Sequence, residues 1–317
     1  MGRPLSILVA SALALSLAAC GSYGASDEAQ GSTGTPSSSE PSTFPVTVEG
    51  TNGQVTIERR PARIVSLSPT ATEDLFAIGA GEQVLAVDDQ SDYPSEAPMT
   101  ELSGFEPNVE AIAGYEPDLV VFATEPGDLG TSLEGLGITA LQLDAAPTLE
   151  VAYQQIEQLG VATGHAAESE TLVREMRSQI DQIVAGAEPS AGLTFYYELD
   201  DTFYSVTSKT FIGQLLESLG LENIADAPGK GSGGYPQLSA EYIIESDPDL
   251  ILLADTECCG QSLQTVAERP GWAELAAVTE GGVVPLDDDV ASRWGPRLVD
   301  LLRQISQAAE ATEANAA

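Results

Sequence analysis

From Phe44 to Ile64 the chain reads FPVTVEGTNGQVTIERRPARI, with apolar and polar residues alternating on either side of Asn52-Gly53. Period-two alternation around Asn-Gly predicts a β-hairpin, because the favoured two-residue turn needs residues that tolerate positive φ. The pattern then changes. RIVSLS (63–68) is a short apolar run, followed by PTATEDLFAIGAG, where Leu75, Phe76 and Ile78 form one helical face and Gly79 to Gly81 end it. VLAVD (84–88), LVVFA (119–123) and ALQLD (140–144) are further strands, separated by helical stretches near 109–113 and 129–136. Nearly continuous apolar strands alternating with helices predict a parallel sheet covered on both faces.

The rhythm breaks between Leu149 and Ala187, where no strand pattern occurs. This stretch predicts a shorter helix, a glycine-containing turn, and a long helix over about 166–185. Leu172, Met176, Ile180, Ile183 and Val184 recur on one side of it. At 1.5 Å per residue the long helix spans roughly 30 Å. Alternation resumes with LTFYYEL, FIGQLLESLGL, YIIES, LILLAD and VVPLD, and closes on the helix PRLVDLLRQISQAA. The organisation predicted is an N-terminal lobe (44–148), a helical connector (149–187) and a C-terminal lobe (188–317).

One sentence is written twice. PNVEAIAGYEPDLVVF and PQLSAEYIIESDPDLILL align with Glu110 and Glu241 in matching places, 131 residues apart. Each copy leads a short helix through Pro-Asp into an apolar strand, which fits two similar α/β lobes.

The start of the chain carries a different signal. After Arg3, an apolar run from Leu5 to Ala19 is too short for a membrane span and ends on LAAC, small residues before Cys20. This resembles the lipobox of bacterial lipoproteins. It implies a signal peptide over 1–19 and a lipid on Cys20 holding the mature protein at a membrane surface. Residues 20–43, rich in Ser, Gly, Thr and Pro, cannot bury a core and read as a flexible tether. The formal net charge of −37, with only 12 basic residues, disfavours nucleic acid as a partner.

Enzyme signatures are lacking. AIGAGEQV has no third glycine and follows a helix rather than a strand. In GKGSGG the lysine precedes Gly231 where a P-loop needs Ser or Thr, and Lys230 takes the first glycine's place in a nucleophile elbow. His165 is the single histidine, placed at a helix start and expected in water, so neither a Ser-His-Asp site nor zinc or manganese capture is supported. No resident metal or cofactor is expected, and no catalysis. Cys258 and Cys259 are adjacent in DTECCGQS; outside the cytoplasm such a pair is expected to close into a vicinal disulfide ring, with two unpaired thiols as the other reading.

RIVSLSPTATEDLFAIGAG, SDYP, EPDLVV, the bridging helix and RPGWAELAAV…GGVVPLDDD together resemble the helical-backbone class of substrate-binding lipoproteins of ABC importers. The likeness covers about 64–305. It implies two Rossmann-like α/β lobes joined by one long helix, with a transported ligand in the cleft between them. It also implies a monomer whose partners are a permease with its ATPase, the membrane reached through a lipid anchor, and a small molecule. Glu110 and Glu241 match the glutamates that dock on permease arginines in that class. The cobalamin-binding members look nearest. Tyr93 stands at their cleft tyrosine, Tyr235 and Phe105 at cleft tryptophans, Tyr204 at a phenylalanine, and Asp289 and Arg293 keep an Asp-x-x-x-Arg spacing at the rim. A further cleft tryptophan has no counterpart near Ala123 or Thr124. Ferric siderophores are the rival ligand, with Arg293, Arg297, Tyr93 and Tyr235 as their contacts, and haem comes third.

Overall fold

The computed structural model describes residues 43–316, apart from 125, 188, 189 and 191. The expected signal peptide, Cys20 and almost all of the tether lie outside the described residues.

β1 (Val46–Gly50) and β2 (Gly53–Ile57) pair antiparallel around Asn52-Gly53, with Gly53 at φ 98°. Asn52 also bonds Ala140 and Gln142, so the hairpin tip is fastened to the edge of the first sheet. That sheet is built from β3 (Ile64–Leu67), β4 (Val84–Asp88), β5 (Met99–Leu102), β6 (Leu119–Phe122) and β7 (Thr139–Gln142). All pairs are parallel, in the order β5-β4-β3-β6-β7. Its central strands β3 and β6 are buried along their whole length, as crossovers on both faces require. Helices α1 (Pro69–Ala77), α2 (Val109–Ala113) and α3 (Leu129–Gly135) supply those crossovers. Ser68 caps α1 and Pro69 opens it, where a missing N–H costs nothing.

Two helices then leave the sheet: α4 (Leu149–Thr163) and the 21-residue α5 (Ala166–Gly186). Gly164, at φ 78°, ends α4 in the left-handed conformation glycine favours. Gly160 lets the two cross closely, since a Cβ there would lie 2.0 Å from the Ser169 hydroxyl. On α5, Met176 and Ile180 are buried, while Leu172, Ile183 and Val184 pack partly buried against the core.

The second sheet contains β8 (Thr194–Glu198), β9 (Glu222–Asn223), β10 (Leu250–Leu253) and β11 (Val283–Pro285), parallel in the order β11-β10-β8-β9. Around it lie α6 (Phe211–Ser218), α7 (Ala240–Ser246), α8 (Leu263–Ala267), α9 (Ala276–Thr279) and α10 (Asp288–Ser292). The last helix, α11 (Leu298–Ala316), returns to pack on α5. The two parallel sheets stay separate. One apolar core nonetheless runs from Val121 and Leu141 through Ile156 and Met176 to Phe195, Leu252 and Leu302, so the connecting helices weld the lobes together. The fold class is the α/β architecture the pattern predicts.

Candidate functional site

The doubled sentence has a structural explanation, position by position. Asn108 and Ser239 cap α2 and α7 by accepting backbone N–H bonds. Ile112 and Ile243 are fully buried beneath them. Glu116 and Asp247 turn the chain at φ 50° and 42°. Asp118 accepts from the Ala62 N–H, and Asp249 from both the N–H and the hydroxyl of Thr194, pinning the start of the neighbouring strand. Burial opposes the Asp118 charge, yet Arg59 and the N–H groups of Ala62 and Arg63 hold its carboxyl below the usual range. These four repeated positions thus have folding tasks, whereas Glu110 and Glu241 stand apart. Both are exposed, and among the described residues neither carboxylate takes a hydrogen bond or ion pair.

Between the lobes lies a hollow of about 450 Å³. Ala146 and Pro147, beyond the end of β7, form one wall; Tyr197, Phe211, Tyr235 and Trp294 form the others. This is the carboxyl end of the parallel strands, where α/β sheets open into clefts. Trp294 donates its indole N–H to Gln155 on α4 at 2.8 Å, which fixes the ring in the wall. The sequence reading singled out its neighbours but not this tryptophan, although it sits in DDDVASRWGPR beside Arg293. It supplies an aromatic face from a segment other than 123–124.

A smaller hollow of about 340 Å³ is lined by Tyr93, Phe76, Glu73 and Arg297. Here Arg297 lies 4.3 Å over the Tyr93 ring. The arginines have partners that sequence spacing alone does not reveal. Glu73 on α1, 3% exposed, accepts from Arg293 at 3.0 Å and from Arg297 at 2.5 and 2.9 Å. Arg293, itself buried, further donates to the Gln90 carbonyl and Asp92 and pairs with Asp289 at 2.7 Å. Arg293 thus has a positioning task beside its place at the larger hollow: its guanidinium holds the 90–93 loop of the first lobe to the second. Burial pushes the Asp289 carboxyl up to about 6, with Asp92 adding to the rise against Arg293.

Of the six residues expected to touch ligand, Tyr235 and Arg293 line the larger hollow and Tyr93 the smaller. Phe105, Tyr204 and Asp289 line neither. All four predicted aromatics are solvent-exposed rings, Tyr93 at 46%, Phe105 at 73%, Tyr204 at 40% and Tyr235 at 54%. Such exposure is costly for rings of this size unless something covers them.

Two expectations are overturned. Cys258 and Cys259 are free, exposed thiols rather than a ring. Asp288 accepts from the Thr256, Glu257 and Cys258 N–H groups and so shapes their loop without a disulfide. A hydrogen bond to Cys259, with burial second, pushes the Cys258 thiol up to about 12. His165 is not in water either: its side chain is 15% exposed, with Nε2 at 2.8 Å from Arg60 and 3.0 Å from Gln83. It closes the α4–α5 corner, far in sequence from the cleft loops. Among the described residues no group of three metal-ligating side chains gathers, and no helix is long and apolar enough to cross a membrane.

A family model described as periplasmic binding protein matches residues 64–290. An uncharacterised ABC transporter substrate-binding lipoprotein of Bacillus subtilis is 30% identical over 275 residues, 83% of this chain and 85% of its own. A cobalamin-binding protein of Halobacterium salinarum is 32% identical over 276 residues, 84% of this chain and 74% of its own. Among solved structures, the periplasmic vitamin B12 binding protein of Vibrio cholerae superposes with a TM-score of 0.67 at 23% identity, covering 80% of this chain and 98% of that one. Structures titled as haem-binding or possible iron-binding proteins superpose equally well, at 0.68 and 0.66, so this likeness speaks for the fold alone.

Proposed function

This chain belongs to the periplasmic binding protein family, and we propose that it captures a corrinoid of the cobalamin type outside the cell and delivers it to an ABC importer. The observation that carries this reading is chemical. The interlobe hollow is walled by aromatic faces, Tyr197, Phe211, Tyr235 and Trp294, and Tyr93 lines the smaller hollow. The arginines that an anionic ferric chelate would need, Arg293 and Arg297, are already matched by Glu73, Asp92 and Asp289. Flat apolar walls with few free charges suit a large macrocycle bearing neutral amides. The relatives named for cobalamin add to this reading. Cys20 carries the lipid that keeps the receptor at the membrane, residues 20–43 are its tether, and the protein holds its cargo without chemistry or a resident cofactor.

Glu110 and Glu241 dock the two lobes on arginines of the permease. Two charge-assisted contacts across the cleft let the importer grip both halves at once.

Titration with cyanocobalamin tests the ligand. It is expected to quench Trp294 fluorescence saturably at one ligand per chain, and Tyr235→Ala to weaken binding about tenfold, the loss of one stacked face. A ferric siderophore that binds while cyanocobalamin does not would replace this reading with the rival one.

A further inference from the structure

The chain has two lysines, Lys209 and Lys230, against 49 acidic residues. Both line one hollow of about 570 Å³ on the second lobe. Chance pairing would be easy in so acidic a protein. Each of the nine arginines among the described residues does find an acceptor, whether carboxylate, carbonyl, hydroxyl or imidazole. The two lysines alone do not: among the described residues neither ammonium makes a hydrogen bond or an ion pair.

A glycine-rich turn makes up much of the remaining lining, with Thr207, Ser208, Glu217 and Asp226. Lys230 lies in GKGSGG, whose glycines 231, 233 and 234 adopt φ of 91°, 70° and 103°. Among the described residues, the N–H groups of Lys230, Gly231, Gly233 and Gly234 donate to no protein acceptor, while those of Gly229 and Ser232 are used inside the turn. Gly229 and Gly234 also let the Thr207–Thr210 segment approach, since a Cβ on either would lie 2.4 or 2.9 Å from a threonine methyl. Of the two carboxylates nearby, Asp226 is occupied by the Ser208 N–H at 2.8 Å, and Glu217 stands on the wall. Free ammoniums beside unpaired N–H groups form an oxyanion cradle. Lys209 and Gly233 line this hollow and the interlobe hollow alike, so the cradle adjoins the cleft.

We propose that Lys209, Lys230 and the glycine-rich turn 229–234 form a phosphate subsite, which receives the phosphodiester of the nucleotide loop while the corrin lies in the cleft. This deepens, and rests on, the corrinoid reading. It also gives the two side-chain cations left unpaired among the described residues a ligand group of opposite sign. The segment that fails as a P-loop motif keeps the physical ingredient of one, a run of backbone donors held open by glycine.

Wild type and Lys209→Ala/Lys230→Ala are to be titrated with cyanocobalamin, which carries the phosphodiester, and with dicyanocobinamide, which lacks it. The preference for cyanocobalamin is expected to fall about tenfold in the double variant, the scale of a lost charge-assisted contact. Lys209→Arg/Lys230→Arg is expected to retain most of it. A preference unchanged within about twofold overturns the subsite even if both corrinoids bind. If wild type binds neither, the corrinoid reading falls, and inorganic phosphate at low ionic strength decides the cradle. A rise of a few degrees in Tm in wild type and not in the double variant sustains an anion site; no rise in wild type overturns it.

Discussion

Asp255 carries the sharpest electrostatic tension in the second lobe. It is fully buried just beyond β10, and neither carboxyl oxygen has a hydrogen-bond partner among the described residues. Glu198, Arg269, Asp288 and Tyr196 surround it, and Arg269 is committed to Glu198 at 2.6 and 2.7 Å. Burial, with the Glu198 charge second, pushes the Asp255 carboxyl up from 3.8 to about 7. Between those values the folded chain holds a proton that the unfolded chain has released. Stability contributed by this group is therefore complete below the lower value, is lost as pH rises through the window, and is flat above it. Asp255→Asn keeps the shape and removes the charge. It is expected to flatten that slope and to stabilise the protein at pH 8 by about 2 kcal/mol, read from urea unfolding between pH 4 and 8. A slope unchanged by the substitution would place the titration on another group.

At the scale of elements, α2 and α7 separate residues that fold the chain from residues that do not. Asn108→Ala and Ser239→Ala each remove a helix cap and are expected to cost about 1 kcal/mol. Charge reversal at Glu110 and Glu241 should leave unfolding within about 0.5 kcal/mol, because nothing in the described structure touches those carboxylates. Ligand binding should persist and cellular uptake of the corrinoid should fail; uptake that survives the double reversal removes the docking role. The same contrast explains what was legible in the sequence. β3, β6 and β10 are buried runs with strong periodic signals and were readable, as were the hairpin at Asn52-Gly53 and the long α5. β5 was not: as an edge strand it buries only Leu102 of four residues and has no apolar run to read. The two-residue β9 and the one-turn helices α8 to α10 are set by tertiary packing, which leaves no local period. Of the aromatics named by resemblance, Tyr235 and Tyr93 line hollows. The Glu73 clamp was not legible, because its partners stand 220 and 224 residues away.

That distance makes Glu73 a property of the whole molecule. It sits on the first lobe and closes both arginines of the segment leading into α11, while Trp294 in the same segment reaches Gln155 on the connector. With α4, α5 and α11 packed in one continuous core, the separation of the two sheets is fixed by buried contacts rather than by a free hinge. Ligand entry is then expected to need only local movement of exposed loops such as those bearing Tyr93 and Tyr235, and not wide opening. Small-angle scattering is accordingly expected to change by less than about 1 Å in radius of gyration when ligand binds, the behaviour of a preorganised receptor. Glu73→Gln attacks the restraint directly, by leaving two guanidiniums without their shared charge in a buried place. It should destabilise the fold by about 3 kcal/mol and slacken the 90–93 loop that Arg293 holds, so that corrinoid affinity is expected to fall. A drop of several ångströms in radius of gyration on binding by wild type would mean instead that the clamp breaks during capture, and that the lobes close as a hinge.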